Sequence, residues 1–174
     1  MNGKINAERL QKAIERLLAP AQITRPPVRI EHIAQLRGVP VRAVPYTDSL
    51  AGLLLWEGGQ PAIGINSLLD VYQQRFVIAH ELAHVELRHH TGTHIDRSFP
   101  FPLNSQQTAL KFEPVEFEAN IVAAGLLIPT ALLTADFKEK TLDYLDETVI
   151  DSLAQRYEVS AHTMLLRLMQ LAGT

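Results

Sequence analysis

The sequence contains no cysteine, which excludes a disulfide framework and any metal site or nucleophile built from thiolates. Long apolar runs are also missing, because segments such as AGLLLW at 51–56 fall far short of the roughly 18 residues that span a membrane. Strong charge of either sign is absent too. The formal net charge of -3 gives no basic surface for a nucleic acid and no obvious electrostatic partner.

Length and composition predict one ordinary globular domain. With 174 residues, 47% of them hydrophobic and 20% charged, the chain is long enough to bury a core without cross-links. We expect a single domain over 1–174, made of an N-terminal helical segment (1–26), a core segment (27–135) and a C-terminal helical hairpin (141–174). The first 20 residues lack the apolar run of a secretory signal, so a cytoplasmic location without membrane contact is expected.

The first half of the chain combines two short helices with three strand-like runs. Apolar residues at helical spacing predict helices over 6–18 and from about 27 to 37. The strand-like runs are PVRAVPY at 40–46, AGLLLWE at 51–57 and PAIGINS at 61–67. Their short, turn-separated character predicts a small antiparallel or mixed sheet, whose AGLLL or AIGIN strand we expect to offer an edge for an extended substrate.

Two longer helices follow this sheet. Ser67 and Asp70 form an S-x-x-D start signal, after which the pattern predicts a helix that continues to His90. The segment 91–113 has little periodicity, and a connection of that length is typical of a functional or mobile loop. A further helix is predicted from Pro114 until the chain meets Pro129.

The segment HELAH at 80–84 places two histidines four residues apart in the first of these helices. Residues at that spacing lie about 40° apart around the axis and about 6 Å apart along it, so His80 and His84 present their rings to one point. Without cysteine, Zn2+ would be held by histidine and carboxylate ligands, which are typical of catalytic sites. Glu81 is then placed to take a proton from a zinc-activated water that attacks a carbonyl, and to pass it to the leaving amine.

The competing interpretation is a core helix whose histidines make ordinary hydrogen bonds. The neighbouring residues are strongly apolar: Phe76, Val77, Ile78, Leu82, Ala83, Val85 and Leu87. Burying two histidines and a glutamate among them costs free energy unless the three groups share a partner. The pattern therefore favours a metal site.

A third ligand from the same segment is disfavoured. His90 follows His80 by ten residues, the spacing of the H-E-x-x-H-x-x-G-x-x-H pattern, but Leu87 stands where that pattern has a glycine. If the helix continues, His90 lies about 9 Å beyond the second histidine of the pair and out of reach. We therefore expect His90 not to be a ligand, and His89 and His94 to be surface or loop residues.

A carboxylate on the helix after the loop is the stronger candidate. Glu116 and Asn120 are four residues apart and share a face, so Glu116 is the predicted third ligand and Glu118 the alternative. The Asn120 amide oxygen would accept the free N–H of a ligand histidine. The competing interpretation is that both glutamates are solvated first-turn residues favoured by the helix dipole. Close packing on the histidine helix is permitted by the small residues Ala119, Ala123, Ala124 and Gly125.

Together these segments resemble the ImmA/IrrE metallopeptidases. RFVIAHELAHVELRH, followed some 30 residues later by EFEANIVAAGLLIP, is similar to that family's R-F-x-x-A-H-E-x-x-H and E-x-x-x-[ND] motifs, and the likeness covers roughly Pro27–Leu133. The resemblance implies a zincin-like α+β domain with a small sheet, an active-site helix, a glutamate helix and a C-terminal helical pair. It also implies a zinc-dependent endopeptidase with His80, His84 and Glu116 as ligands and Glu81 as general base.

The resemblance further suggests a class of protein substrate. Members of the family are commonly cytoplasmic regulators that cleave a helix-turn-helix repressor or an antitoxin partner. The chain has no room for a full N-terminal helix-turn-helix module or a C-terminal sensor module, so it looks like the stand-alone protease form. The identity of the substrate, the activating signal and the oligomeric state are not indicated by the sequence.

The C-terminal segment has the spacing of a helix-turn-helix, with Ser160 as the cap of its second helix and Val159 and Met164 as a hydrophobic staple. From Thr141 onward there are five acidic residues and two arginines, a negative field that disfavours contact with phosphates. The second helix would offer only three polar side chains to base edges: His162, Thr163 and Arg167. We interpret the pair as a structural hairpin, and contact with nucleic acid is not expected.

Two matters stay open at this stage. The alternative function is a DNA-binding or protein-binding regulator that uses the C-terminal pair and carries a non-catalytic metal site. The group that would stabilise the oxyanion is not identified by any motif, and Tyr72, His94 and His162 are the candidates.

Overall fold

The computed structural model describes residues 6–46, 50–90, 92–96, 114–138 and 146–172. Its helices are α1 (Ala7–Leu18), α2 (Ile30–Leu36), α3 (Val71–Leu87), α4 (Pro114–Leu127), α5 (Thr130–Lys138), α6 (Glu147–Tyr157) and α7 (Ala161–Ala172). Its strands are β1 (Val41–Val44), β2 (Gly52–Glu57), β3 (Gln60–Asn66) and β4 (His94–Asp96). The predicted α+β fold with a small mixed sheet is confirmed. Apart from 92–96, the predicted loop at 91–113 lies outside the described residues, as does the 141–145 start of the predicted hairpin.

The sheet has the strand order β1-β3-β2-β4. β1 runs parallel to β3, whereas β2 is antiparallel to both β3 and β4. Both strands that were predicted to offer a docking edge are therefore internal, and that prediction was wrong in the form given. The reason is β4, which lies in the predicted loop and covers β2 along Gly52–Leu54. Among the described residues, β1 and β4 are the two outer strands, although β4 pairs with only the first three residues of β2.

Helix α3 runs through the centre of the molecule. β2 and β3 contact it, and α1, α2 and α4 pack around it. Phe76, Ile78 and Leu82 are each no more than 2% exposed. A helix that is apolar around its whole circumference is stable only when it is covered in this way, so any ionisable group on α3 is taken out of water as well.

The ends of α3 differ from the predicted ones. The N-cap is Asp70, which forms a capping box with Gln73, so the helix starts later than the Ser67 signal suggests. It ends at Leu87 because Arg88 adopts a left-handed conformation with φ 56° and ψ 43°. The prediction that the helix continues to His90 was therefore wrong. The turn at Arg88 returns the chain toward α3 and α4.

The C-terminal helices form the predicted pair. The Ser160 hydroxyl accepts a hydrogen bond from the Thr163 amide at 3.1 Å, and the staple residues Val159 and Met164 are 2% and 0% exposed. Thr163 and Arg167 are buried, at 3% and 5% exposure. Two of the three side chains considered for base contacts therefore point into the protein.

Within the described parts of the chain, no individual helix has both the length and the apolar character to cross a membrane, although α4 and the Thr130–Phe137 part of α5, bent by 54°, meet those criteria as a pair.

Candidate metal centre

Three of the predicted site residues converge where α3 faces α4. The Nε2 atoms of His80 and His84 are 2.9 Å apart. Glu116 Oε2 lies 3.2 Å from the first of these atoms, and Glu116 Oε1 lies 3.5 Å from the second. Zn2+ with ligand bonds of about 2.0–2.2 Å in tetrahedral geometry separates its ligands by about 3.4 Å. The spacing of these three donors fits a single ion of that size.

The chemistry of the three groups also fits a cation. His80 and His84 are 1% and 0% exposed, and two neutral ring nitrogens that face each other at 2.9 Å repel unless a proton or a cation lies between them. Glu116 Oε1 is buried and has no hydrogen-bond partner among the described residues. A shared metal ion would satisfy all of these atoms at once.

The pKa shifts favour the metal-binding forms of two of these residues. Burial lowers the pKa of His84 to about 4, which keeps the ring neutral at neutral pH. Burial alone would raise the pKa of Glu116, but its contacts with the rings of His80 and His84 outweigh that effect and hold the pKa below its usual range. Neutral imidazole and ionised carboxylate are the forms that bind a metal.

Asn120 and Glu118, the other two polar residues considered on α4, have different partners. Asn120 Oδ1 is 2.8 Å from His80 Nδ1, and the asparagine is 2% exposed. The second carboxylate of α4 is engaged elsewhere, because Glu118 Oε2 lies 2.7 Å from a guanidinium nitrogen of Arg9 and 3.2 Å from His89 Nε2.

The predicted general base, Glu81, is fully buried under β2. A Cβ atom built on Gly52 would lie 2.8 Å from Glu81 Oε1 and 2.5 Å from Val77 Cγ1. A glycine at this point of β2 therefore provides the space in which the Glu81 carboxylate sits. Gly52 was not among the residues predicted from the sequence, although a glycine inside a strand is itself a signal of close approach by another group.

A second group of possible ligands overlaps the first. Ligand atoms of His84, His90, His94 and Glu116 all lie within 4.8 Å of one another and could hold a metal ion. The rings of His90 and His94 stack with centroids 3.9 Å apart, and the His90 ring centroid is 4.8 Å from that of His84. The expectation that His90 is out of reach was wrong, because it assumed a continuous helix where the structure has the turn at Arg88.

His89 and His94 were expected to be surface or loop residues. His89 does lie in the connection after α3, and His94 lies in β4, but neither side chain is fully exposed. Their side chains are 4% and 20% exposed, and His94 Nε2 lies 3.6 Å from Glu116 Oε1. Of the oxyanion candidates, His94 is therefore beside the cluster. Tyr72 precedes His80 by eight residues, which is about 12 Å along the axis of α3, and His162 lies on α7.

Comparison with known proteins agrees with these observations. The sequence profile of Peptidase_M78, described as an IrrE N-terminal-like domain, matches residues 34–169. No curated protein matches the sequence significantly. Among solved structures, a Mycobacterium tuberculosis transcriptional regulator superposes with a TM-score of 0.56 at 17% identity, over 90% of this chain and 45% of that one. At that identity the likeness shows a shared fold, and the chain spans less than half the length of that protein.

Proposed function

The chain belongs to the Peptidase_M78 family of IrrE N-terminal-like domains, and from this premise we propose that it is a zinc-dependent endopeptidase. The observation that carries the proposal is the convergence of His80 Nε2, His84 Nε2 and the Glu116 carboxylate within 2.9–3.5 Å of one another. We assign these three residues as the zinc ligands.

The chemistry divides between the metal and the chain. A zinc ion held by these residues would act as a Lewis acid for the scissile carbonyl and would lower the pKa of water toward about 7. Glu81, next to His80 in sequence and buried beneath β2, takes the proton of the attacking water and delivers it to the leaving amine. Asn120 accepts the Nδ1–H of His80 at 2.8 Å, which leaves Nε2 of that ring unprotonated.

The substrate that we propose is a cytoplasmic protein partner, specifically a helix-turn-helix repressor or an antitoxin. This class follows from the family's usual role. A function in direct DNA recognition is less well supported, because Thr163 and Arg167 are only 3% and 5% exposed and the segment from Thr141 is acidic. The domain limits of 1–26, 27–135 and 141–174 within a single unit are part of the same proposal.

The test combines metal analysis with a cleavage assay. Wild type and Glu81→Gln are purified, their zinc content is measured, and each is incubated with repressor-like proteins encoded near its gene. We expect zinc in both proteins and cleavage, detected by mass spectrometry, in wild type alone. Equal cleavage by both would exclude the assigned role of Glu81, and failure of both to bind zinc would contradict the metal site.

A further inference from the structure

A row of polar side chains leads away from the candidate metal centre on the far side of His84. His84 Nδ1 lies 3.1 Å from His89 Nδ1, and His89 Nε2 lies 3.2 Å from Glu118 Oε2. Arg9 holds the same carboxylate oxygen at 2.7 Å. We call His89, Glu118 and Arg9 the support row. None of its members was predicted to act on His84, and His89 was expected to be a surface or loop residue.

The hydrogen atoms along the support row can be assigned from one end. A carboxylate paired with a guanidinium can only accept hydrogen bonds, so the proton between Glu118 and His89 belongs to His89 Nε2. A neutral imidazole carries one N–H, which leaves His89 Nδ1 as an acceptor for the Nδ1–H of His84. Nε2 of His84 then has no proton, and this is the atom that faces His80 and Glu116.

We propose that His89 and Glu118 are positioning residues that hold His84 in its metal-binding tautomer, with Arg9 fixing the carboxylate. The inference rests on the proposed zinc site, and it assigns to Glu118 a role other than the ligand considered from sequence. With this assignment, both histidines of α3 have a hydrogen-bond acceptor at Nδ1. Asn120 accepts from Nδ1 of His80 and so holds that ring in the same tautomer as His84.

Arg9 links the support row to the turn that creates it. Its second terminal nitrogen donates to the carbonyl of Leu87 at 2.9 Å, one residue before the left-handed Arg88 that returns His89 to the site. One guanidinium thus orients the carboxylate and stabilises the end of α3, a use that the forked geometry of arginine permits. Arg9 belongs to α1, which precedes the family match at residues 34–169. The support row therefore depends on an element that the family profile does not include.

The principal test measures zinc affinity of the full chain by competition with a chromophoric chelator, starting from metal-free protein. We expect His89→Leu and Glu118→Gln each to weaken zinc binding by about 10- to 100-fold, the usual effect of losing a group that orients a ligand. His89→Asn should weaken binding less than His89→Leu, because its amide oxygen replaces the Nδ1 acceptor. The matched control is Arg16→Gln, which removes another arginine of α1 whose partner, Glu86, lies outside the support row.

Glu118 contacts His89, and His89 contacts His84, so this order predicts the effect of substituting Glu118 and His89 together. Since Glu118 acts on His84 only through His89, the double variant His89→Leu/Glu118→Gln should bind zinc no more weakly than His89→Leu alone. Additive losses, or affinities within twofold of wild type for both single variants, would overturn the proposal. Circular dichroism confirms that each variant is folded, and Glu118→Gln keeps the size and shape of the original side chain in any case.

A spectroscopic measurement separates this inference from the proposed function. In metal-free protein, imidazole 1H–15N correlations should show His84 protonated at Nδ1 in wild type and in Arg16→Gln, and a mixture of tautomers in His89→Leu. A His84 ring protonated at Nε2 in wild type would overturn the support row even if zinc binds. Absence of zinc binding together with the Nδ1–H tautomer would instead contradict the proposed function alone.

Discussion

At the scale of single residues, the space beneath β2 limits the size of the side chain that position 52 can carry next to Glu81. At Gly52 the sheet lies so close to Val77 and Glu81 that one added methyl group has no free volume to enter. In the proposed function, the Glu81 carboxylate exchanges protons with a reacting water, and it then needs both a fixed position and room for its oxygens. In this protein a hydrogen atom in place of a side chain supplies that room.

Gly52→Ala is therefore expected to damage both stability and activity. Its Cβ would lie 2.5 Å from Val77 Cγ1 and 2.8 Å from Glu81 Oε1, and overpacking of this kind costs about 1–3 kcal/mol. Urea denaturation measures the loss of stability. The loss of activity is measured with the substrate that the cleavage assay described above identifies. Gly92→Ala is the control, because a Cβ there meets nothing within 4 Å. A Gly52→Ala protein as stable and active as Gly92→Ala would contradict this account of β2.

At the scale of elements, α7 is held by a buried arginine rather than by apolar contact alone. Arg167 donates to the carbonyl of Ile128 at 3.0 Å and to the Thr130 hydroxyl at 2.7 Å, where α4 passes into α5. Burial lowers the pKa of Arg167 to about 10, which leaves it charged at neutral pH. These hydrogen bonds connect the C-terminal helix pair to the end of α4, the helix that carries Glu116.

Replacing this arginine should uncouple the C-terminal pair. Arg167→Met fills similar volume but leaves the Ile128 carbonyl without its donor, so we expect a loss of about 2–3 kcal/mol in the free energy of unfolding. Arg156→Met is the matched control, since its ion pair with Asp136 is 56% exposed on the arginine side and should contribute less than about 1 kcal/mol. Similar losses in the two variants would show that the buried contacts of Arg167 do not anchor α7.

The elements also show what the sequence can and cannot predict. Local signals sufficed for α1, for the Ser160 cap of α7 and for the end of α4 before Pro129, because each depends on residues near to it in sequence. β4 could not be predicted, since three residues at 94–96 become a strand only through pairing with β2. The pattern of histidines and carboxylate could be predicted from helical spacing. The support row could not, because it depends on Arg9, which lies 109 positions from Glu118.

At the scale of the whole molecule, histidines that are wholly or partly buried make folding sensitive to pH. Burial lowers the pKa of His84 to about 4 and also lowers the pKa values of His89 and His162. In the unfolded chain these rings take up protons near pH 6.5, so the unfolded state binds more protons than the folded state below that pH. Their contribution to stability is complete above pH 6.5 and is lost as the pH falls from there toward 4.

Metal-free protein should therefore unfold more easily as it is acidified. We expect the free energy of unfolding, measured with urea in the presence of a chelator, to decrease between pH 7 and pH 5. Zinc at about 100 times its Kd should add about 2.7 kcal/mol at pH 7, and less as the pH approaches 4, where protons compete for His84. Metal-free protein that becomes more stable on acidification would contradict the burial of these rings in their neutral form.

The turn at Arg88 bears on how sequence signatures encode shape. A glycine at the corresponding point of the H-E-x-x-H-x-x-G-x-x-H pattern stands for a change of chain direction, not for a chemical group. Here an arginine with φ 56° makes such a change one position later, and three histidines gather beside His84 without that glycine. A signature written in residue names therefore underestimates the number of chains that can assemble such a cluster, whereas one written in backbone conformations would include this protein.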